Sequence, residues 1–266
     1  MTSSPDPRSP LEQADLQVAA GPDWVVALHE TAGSTNALAA ADPQRNLVVV
    51  ADHQTAGRGR LDRSWETPPR AALTFSAVFD PVVETEWWPL IPLAAGIAVA
   101  RAVGDDARLK WPNDVLLGEE KVSGILVERL DTRPAYAVIG IGINVDQDRA
   151  ELPVPSAISL ALAGIPRDRT ELFGEVLRQL WFALVMLASD PHSVAASYRG
   201  LSATLDRPVR VHLPDGSVLE GIAFDVDDHG GLVIAHPEPA GTTAVPASPR
   251  TTRVAAGDVV HVRPGE

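Results

Sequence analysis

The chain has 266 residues, 45% hydrophobic and 21% charged, a balance that suits a globular protein with a sizeable core. It contains no cysteine, which excludes disulfides, thiolate metal sites and a cysteine nucleophile. A formal net charge of −13 opposes broad binding to a phosphate backbone, so no specific DNA partner is expected.

Residues 1–20 mix Ser, Pro and Asp without periodicity and read as a flexible tail, too short for a helix-turn-helix domain. A first strand is expected over 24–28, then a short helix over 35–41 with Ser34 or Thr35 as its cap and Pro43 beyond its end. The β-branched run 47–52 reads as a buried strand, and 53–70 as a polar Gly/Arg/Pro loop whose length points to function. Over 72–79 Leu73, Phe75, Ala77 and Phe79 alternate onto one strand face. An apolar helix is expected over 89–103, a hairpin over 109–130 turning at 118–120, and a strand over 135–145. Leu172, Val176, Leu180, Leu184 and Leu187 mark an amphipathic helix over 169–187, followed by a shorter one over 192–198. Beyond 204 the pattern changes to short strands at 209–213, 218–225, 232–235 and 259–262, with 237–251 as an extended loop, a small all-β unit. No secretory leader and no apolar stretch of membrane-spanning length is seen, so the chain is expected in the cytoplasm and off the membrane.

Three segments carry candidate chemistry. Gly33-Ser-Thr-Asn36 offers two hydroxyls, an amide and free backbone N–H groups at a helix start, a compact polar pocket. In Gly57-Arg-Gly-Arg-Leu-Asp-Arg63 glycines let the backbone fold tightly over a ligand while guanidiniums grip phosphate or carboxylate oxygens in pairs. It lacks the Gly-Lys-Ser/Thr of a Walker loop. The third segment, residues 110–128, holds the chain's two lysines, Lys110 and Lys121, against twenty arginines elsewhere. A compact ammonium kept in such a background marks a place where a planar guanidinium does not serve. Gly124, Gly140 and Gly142 permit close approach to the strand backbone.

Gly33-Ser-Thr-Asn36, Gln54-Thr-Ala-Gly-Arg-Gly-Arg60 followed by Trp65, Lys110-Trp-Pro-Asn-Asp114, Lys121-Val-Ser-Gly-Ile-Leu-Val-Glu128 and Gly140-Ile-Gly-Ile-Asn144 together resemble the biotin protein ligase family, in its order and approximate spacing. The resemblance covers about 24–200. It implies an α+β fold, a mixed β-sheet flanked by helices like that of class II synthetases, as a catalytic domain over 21–204, with a small SH3-like β-barrel over 205–266. It implies that ATP and Mg²⁺ activate biotin to biotinyl-5′-AMP, and that biotin then passes to one lysine of a biotin carboxyl carrier domain of an acyl-CoA carboxylase. A monomer or weak homodimer is expected.

Carried over position by position, Ser34, Thr35, Asn36 and Gln54 would hold the biotin rings, with Gly57, Gly59, Gly124, Leu126, Gly140 and Gly142 around them. Arg58 and Arg60 would close over the adenylate and, with Lys121, act catalytically on both biotin and nucleotide. Arg63, Trp65, Lys110, Asn113, Asp114 and Asn144 would serve ATP, Asp114 also its Mg²⁺. Leu61 and Asp62 depart from the further basic or glycine residues common in that loop. The winged helix that makes some members repressors has no counterpart before Trp24. A lipoate or octanoate transferase would share the scaffold, but its expected paired arginines, glycine triplet and His-Asp pattern are missing. A non-catalytic sensor of biotin or adenylate would not need the full set of cations.

Overall fold

The computed structural model describes residues 8–60, 63–236 and 250–262. Its first departure from the sequence reading lies in the expected tail. Gln13–Ala20 form a helix (α1) with Leu16 fully buried, and Leu11 just before it is only 7% exposed. Two glutamines one helical turn apart explain its position beside the first strand, Val25–His29 (β1). The Gln13 side chain donates to Val26 O (2.7 Å) and accepts from Leu28 N (2.9 Å). The Gln17 side chain donates to Trp24 O (2.8 Å) and accepts from Val26 N (3.0 Å). Two side chains thus satisfy the outer backbone groups of an edge strand, groups that would otherwise invite another strand. Such pairing has no apolar periodicity, so sequence pattern does not announce it.

Helix Thr35–Ala41 (α2) links β1 to Leu47–Ala51 (β2), which runs parallel to it. Within the expected 53–70 loop, Gly57–Arg58 (β3) and Ser64–Trp65 (β4) form a two-residue ladder; the departure at Leu61 and Asp62 lies outside the described residues. Then come Ala72–Phe79 (β5), helix Ile91–Val103 (α3) after a 3-10 turn at Thr85–Leu90, Ala107–Lys110 (β6), Asp114–Leu117 (β7), Glu120–Leu130 (β8) and Tyr136–Asn144 (β9). The expected hairpin is therefore a three-stranded meander. The seven strands order as β1-β2-β5-β9-β8-β7-β6, antiparallel beyond the first pair.

Strand alternation divides the work of this sheet between its faces. Val48, Val50, Leu73, Phe75, Ile139, Ile141 and Ile143 turn to the core, where α3 and helix Arg169–Ser189 (α4) cover them; Phe75 meets Phe173 edge-on at 5.2 Å. Each large side chain fully buried there contributes roughly 1.5–3 kcal/mol. The 21-residue α4 is long and apolar enough to cross a membrane by length and composition, which its charged first turns disguise in sequence. Its Leu172, Phe173, Val176, Leu180 and Leu184 are instead buried in the core. On the opposite face α2 packs Ala39 on Val49, Val78 and Val138. Past that patch the cross-strand rung Ser76–Gly140–Leu126 meets only the first turn of α2, and the rung Thr74–Gly142–Gly124 is left without a helix over it.

After helix Pro191–Leu201 (α5), strands Pro208–His212 (β10), Val218–Val226 (β11), Leu232–Ala235 (β12), Thr251–Val254 (β13) and Asp258–His261 (β14) form an antiparallel sheet ordered β13-β12-β11-β10-β14. β13 is an addition to the expected strands; most of the loop expected over 237–251 lies outside the described residues. Val209, Val211, Ala223, Leu232 and Ile234 join the main core. The docking is also polar: Trp111 Nε1 donates to Gly230 O (3.0 Å), and Arg199 pairs with Asp225 (2.8 Å) and Asp228 (2.9 Å).

Candidate active site

Gly140, Leu126, Thr74, Gly142 and Gly124 of these rungs floor a cavity of about 810 Å³. Space requires glycine at 140 and 142 and favours it at 124. A Cβ on Gly140 would lie 2.2 Å from Asn36 Oδ1, one on Gly142 2.4 Å from the Trp65 indole, and one on Gly124 3.0 Å from Lys121 Nζ. Removing three side chains from adjacent strands thus makes room for an amide, an indole and an ammonium above the sheet.

The end of the cavity nearest α2 is a buried polar cluster. Ser34 caps α2 by accepting from Ala37 N (3.3 Å), which places Thr35 and Asn36 over the sheet. Gln54 Oε1 accepts from Thr35 N (2.9 Å), and Gln54 Nε2 donates to Trp65 O (3.1 Å). Ser76 Oγ lies 2.7 Å from Thr35 Oγ1 and 2.6 Å from Asn36 Oδ1, and Asn36 Nδ2 donates to Glu128 Oε2 (2.6 Å). Thr35, Asn36, Gln54 and Ser76 are each at most 7% exposed.

The other end is cationic. Lys121 Nζ pairs with Asp114 Oδ1 at 2.6 Å and lies 5.4 Å from the centre of the Trp65 ring. Arg58 is exposed at the rim. Arg60 is half-buried and donates to Gly257 O (3.3 Å); burial lowers its pKa, against the opposing pull of Asp258 and Asp114. Arg63 forms an ion pair with Asp258. Among the described residues, neither the buried Trp65 Nε1 nor Thr74 Oγ1 has a hydrogen-bond partner, though both residues line the cavity. Buried polar atoms without partners call for an explanation, and a ligand group supplies one.

Of the residues singled out from sequence, all line this cavity except Gly57. Gly57 stands behind the wall, where a Cβ would strike Gln54 Nε2 at 1.9 Å and Trp65 O at 2.3 Å. Two of the nucleotide candidates have their amides engaged by protein. Asn113 Nδ2 donates to Ile125 O (2.7 Å), and Asn144 Nδ2 donates to Ile158 O (3.1 Å) while its Oδ1 accepts from Gln147 (3.0 Å).

Sequence reasoning missed Thr74, Ser76 and the contribution of the C-terminal sheet. Arg207, Asp258, Val259, Val260 and His261 close one side of the cavity. His261 is pushed down to about 4, first by burial and then by the nearby Lys110 and Arg207, so its imidazole is neutral at pH 7. No motif signals these residues, because a strand read as barrel core looks the same whether or not its edge meets a second domain.

Residues 28–146 match the Biotin/lipoate A/B protein ligase family, and residues 204–262 the Biotin protein ligase C terminal domain. The chain is 37% identical to the biotin–[acetyl-CoA-carboxylase] ligase of Mycobacterium tuberculosis, over 99% of this chain and 100% of that one. It is 33% identical to the bifunctional ligase/repressor BirA of Escherichia coli, over 70% of this chain and 60% of the relative. Its structure is similar to that of the Aquifex aeolicus biotin protein ligase in complex with biotin and ATP, with a TM-score of 0.74 and 26% identity over 90% of this chain and 98% of that one. With its two domains matched in order and its whole length aligned to a ligase, the chain belongs to the biotin protein ligase family.

Proposed function

We propose that the chain is a biotin–[acetyl-CoA-carboxylase] ligase that joins biotin to ATP in this cavity and passes the acyl group to a lysine of a biotin carboxyl carrier domain. The observation that carries the reading is Lys121, held by Asp114 between the buried polar cluster and the arginine loop. In the first step a biotin carboxylate oxygen bonds to the α-phosphorus of ATP, and the bond to pyrophosphate breaks. Two anions must meet, and a fixed ammonium beside them offsets the repulsion that opposes the approach. Arg58 and Arg60 neutralise the phosphates from the rim, while Ser34, Thr35, Asn36 and Gln54 hold the ureido ring.

In the second step the carrier amine attacks the acyl carbonyl, AMP leaves with the carbonyl–oxygen bond pair, and the amine sheds a proton. Mg²⁺ suits this donor set as a companion of the nucleotide. No group of three metal-ligating side chains occurs among the described residues; of the carboxylates lining the cavity, Asp114 would hold the ion beside the nucleotide phosphates. When bound, the ion withdraws charge from the leaving pyrophosphate. A cytoplasmic setting with ample ATP suits the reaction, and a net charge of −13 opposes a role on duplex DNA.

The test is biotin- and ATP-dependent pyrophosphate release, followed by mass-spectrometric detection of one biotin on a carrier domain. Pyrophosphate release with lipoate but not with biotin would reject the reading.

A further inference from the structure

The polar cluster contains more groups than a ring system needs, and two of them, Ser76 and Glu128, have not been given a role. We infer that Glu128 and Ser76 are positioning residues that fix the direction of hydrogen bonding at Thr35, so that its hydroxyl oxygen faces the ligand as an acceptor. The inference rests on the ligase reading and deepens it.

The geometry leaves one consistent pattern. A carboxylate only accepts, so at 2.6 Å from Glu128 Oε2 the Asn36 group must be its NH₂. That turns Asn36 Oδ1 toward Ser76 Oγ, 2.6 Å away, where a donor is needed. The single Ser76 proton is used there, so of the two oxygens in reach of the Thr35 hydroxyl, Ser76 Oγ at 2.7 Å and Gln54 Oε1 at 3.2 Å, the nearer takes its proton, since otherwise two oxygens would meet at 2.7 Å with no proton between them. Gln54 is fixed independently, because its Oε1 accepts from the Thr35 backbone N–H at 2.9 Å. With its proton committed, Thr35 presents lone pairs to the cavity next to Gln54 Oε1. Two acceptors side by side match the N–H groups of a cyclic urea.

Reversing the pattern would face Ser76 Oγ against Asn36 Oδ1, or Asn36 Oδ1 against the carboxylate, with oxygens 2.6 Å apart and no proton between them. Glu128 is exposed, whereas Ser76 and Asn36 are 0% and 7% exposed. A surface carboxylate therefore sets the polarity of a buried cluster without belonging to the core.

The test is a double-mutant cycle on the full chain with Glu128→Gln and Ser76→Ala, read by calorimetric biotin binding and by separate KM values for biotin and ATP. An amide at 128 donates or accepts, so Glu128→Gln should weaken biotin binding about threefold to fivefold, and Ser76→Ala about tenfold. Both should leave the KM for ATP within about twofold and thermal unfolding close to wild type. The decisive outcome is the double variant: with the chain of bonds cut at Ser76, the amide at 128 should add less than about a twofold loss. Fully additive losses, or equal losses for biotin and ATP, would overturn the relay. Wild-type protein that binds biotin alongside a silent Ser76→Ala would defeat the relay alone, whereas wild-type protein that binds no biotin would take the ligase reading with it.

Discussion

Lys121 is paired before any substrate arrives, and this shapes what its removal should do. Its 2.6 Å partner Asp114 offsets its charge, and the Trp65 ring bounds its movement. An anion entering the cavity competes with Asp114 for an ammonium already desolvated in part, so little reorganisation is needed as charge develops on the reacting oxygens. Lys121→Ala should slow pyrophosphate release about a hundred- to a thousandfold, the loss of about 3–4 kcal/mol usual for one such contact. Lys121→Arg should also be poor, because a planar fork does not fit between Asp114 and the indole. Near-normal single-turnover rates in Lys121→Ala would remove Lys121 from the chemistry. At this scale the sequence was most legible where residue type is chemically exceptional, as with two lysines among twenty arginines. Ser76 was invisible for the opposite reason: a serine within a strand has many ordinary explanations, and only its 2.6 Å contact with Asn36 distinguishes it.

Among elements, the central strands serve two purposes at once. In β5 the residues Leu73, Phe75 and Ala77 build the core, while on the alternate face Thr74 lines the cavity and Ser76 is buried against Thr35 and Asn36. In β9 the isoleucines of Gly140-Ile-Gly-Ile face inward and the glycines outward. Gly140→Ala should therefore abolish biotin binding with little change in fold, since a methyl 2.2 Å from Asn36 Oδ1 displaces the polar cluster and not the core. Gly142→Ala should chiefly displace Trp65, 2.4 Å away, and Gly124→Ala should be the mildest, because the tip of a flexible lysine can yield. Calorimetry with biotin on the three variants checks the order; tight biotin binding by Gly140→Ala would mean that Asn36 moves freely. Hydrophobic alternation made the core face of β5 readable in advance, and its polar complement held the site. α1 was not readable, because side-chain bonds from Gln13 and Gln17 to an edge strand, with two leucines, hold it in place of an apolar stripe.

On the scale of the whole molecule, the C-terminal sheet closes a cavity whose product is a reactive acyl phosphate. Asp258 and Gly257 hold Arg63 and Arg60, so the arginine loop spans from one domain to the other. An activated acyl group that escapes attacks the nearest unprotonated amine, and this chain offers very few. Its only lysines are Lys110 and Lys121, both half-buried in the cavity wall, and its remaining basic side chains other than histidines are arginines that stay protonated and do not acylate. Lys121 Nζ is engaged by Asp114 at 2.6 Å, so prolonged reaction with biotin and ATP should leave Lys121 free of biotin by peptide mass spectrometry. A lysine introduced at the rim by Arg207→Lys should become labelled, because Arg207 lines the cavity and reaches Glu119 across its mouth at 3.0 Å. Arg178→Lys, on the exposed side of α4, should label far more slowly. Equal labelling at the two introduced lysines would mean that the adenylate leaves the enzyme before it reacts. Selective labelling at the rim would show that it is consumed where it is made.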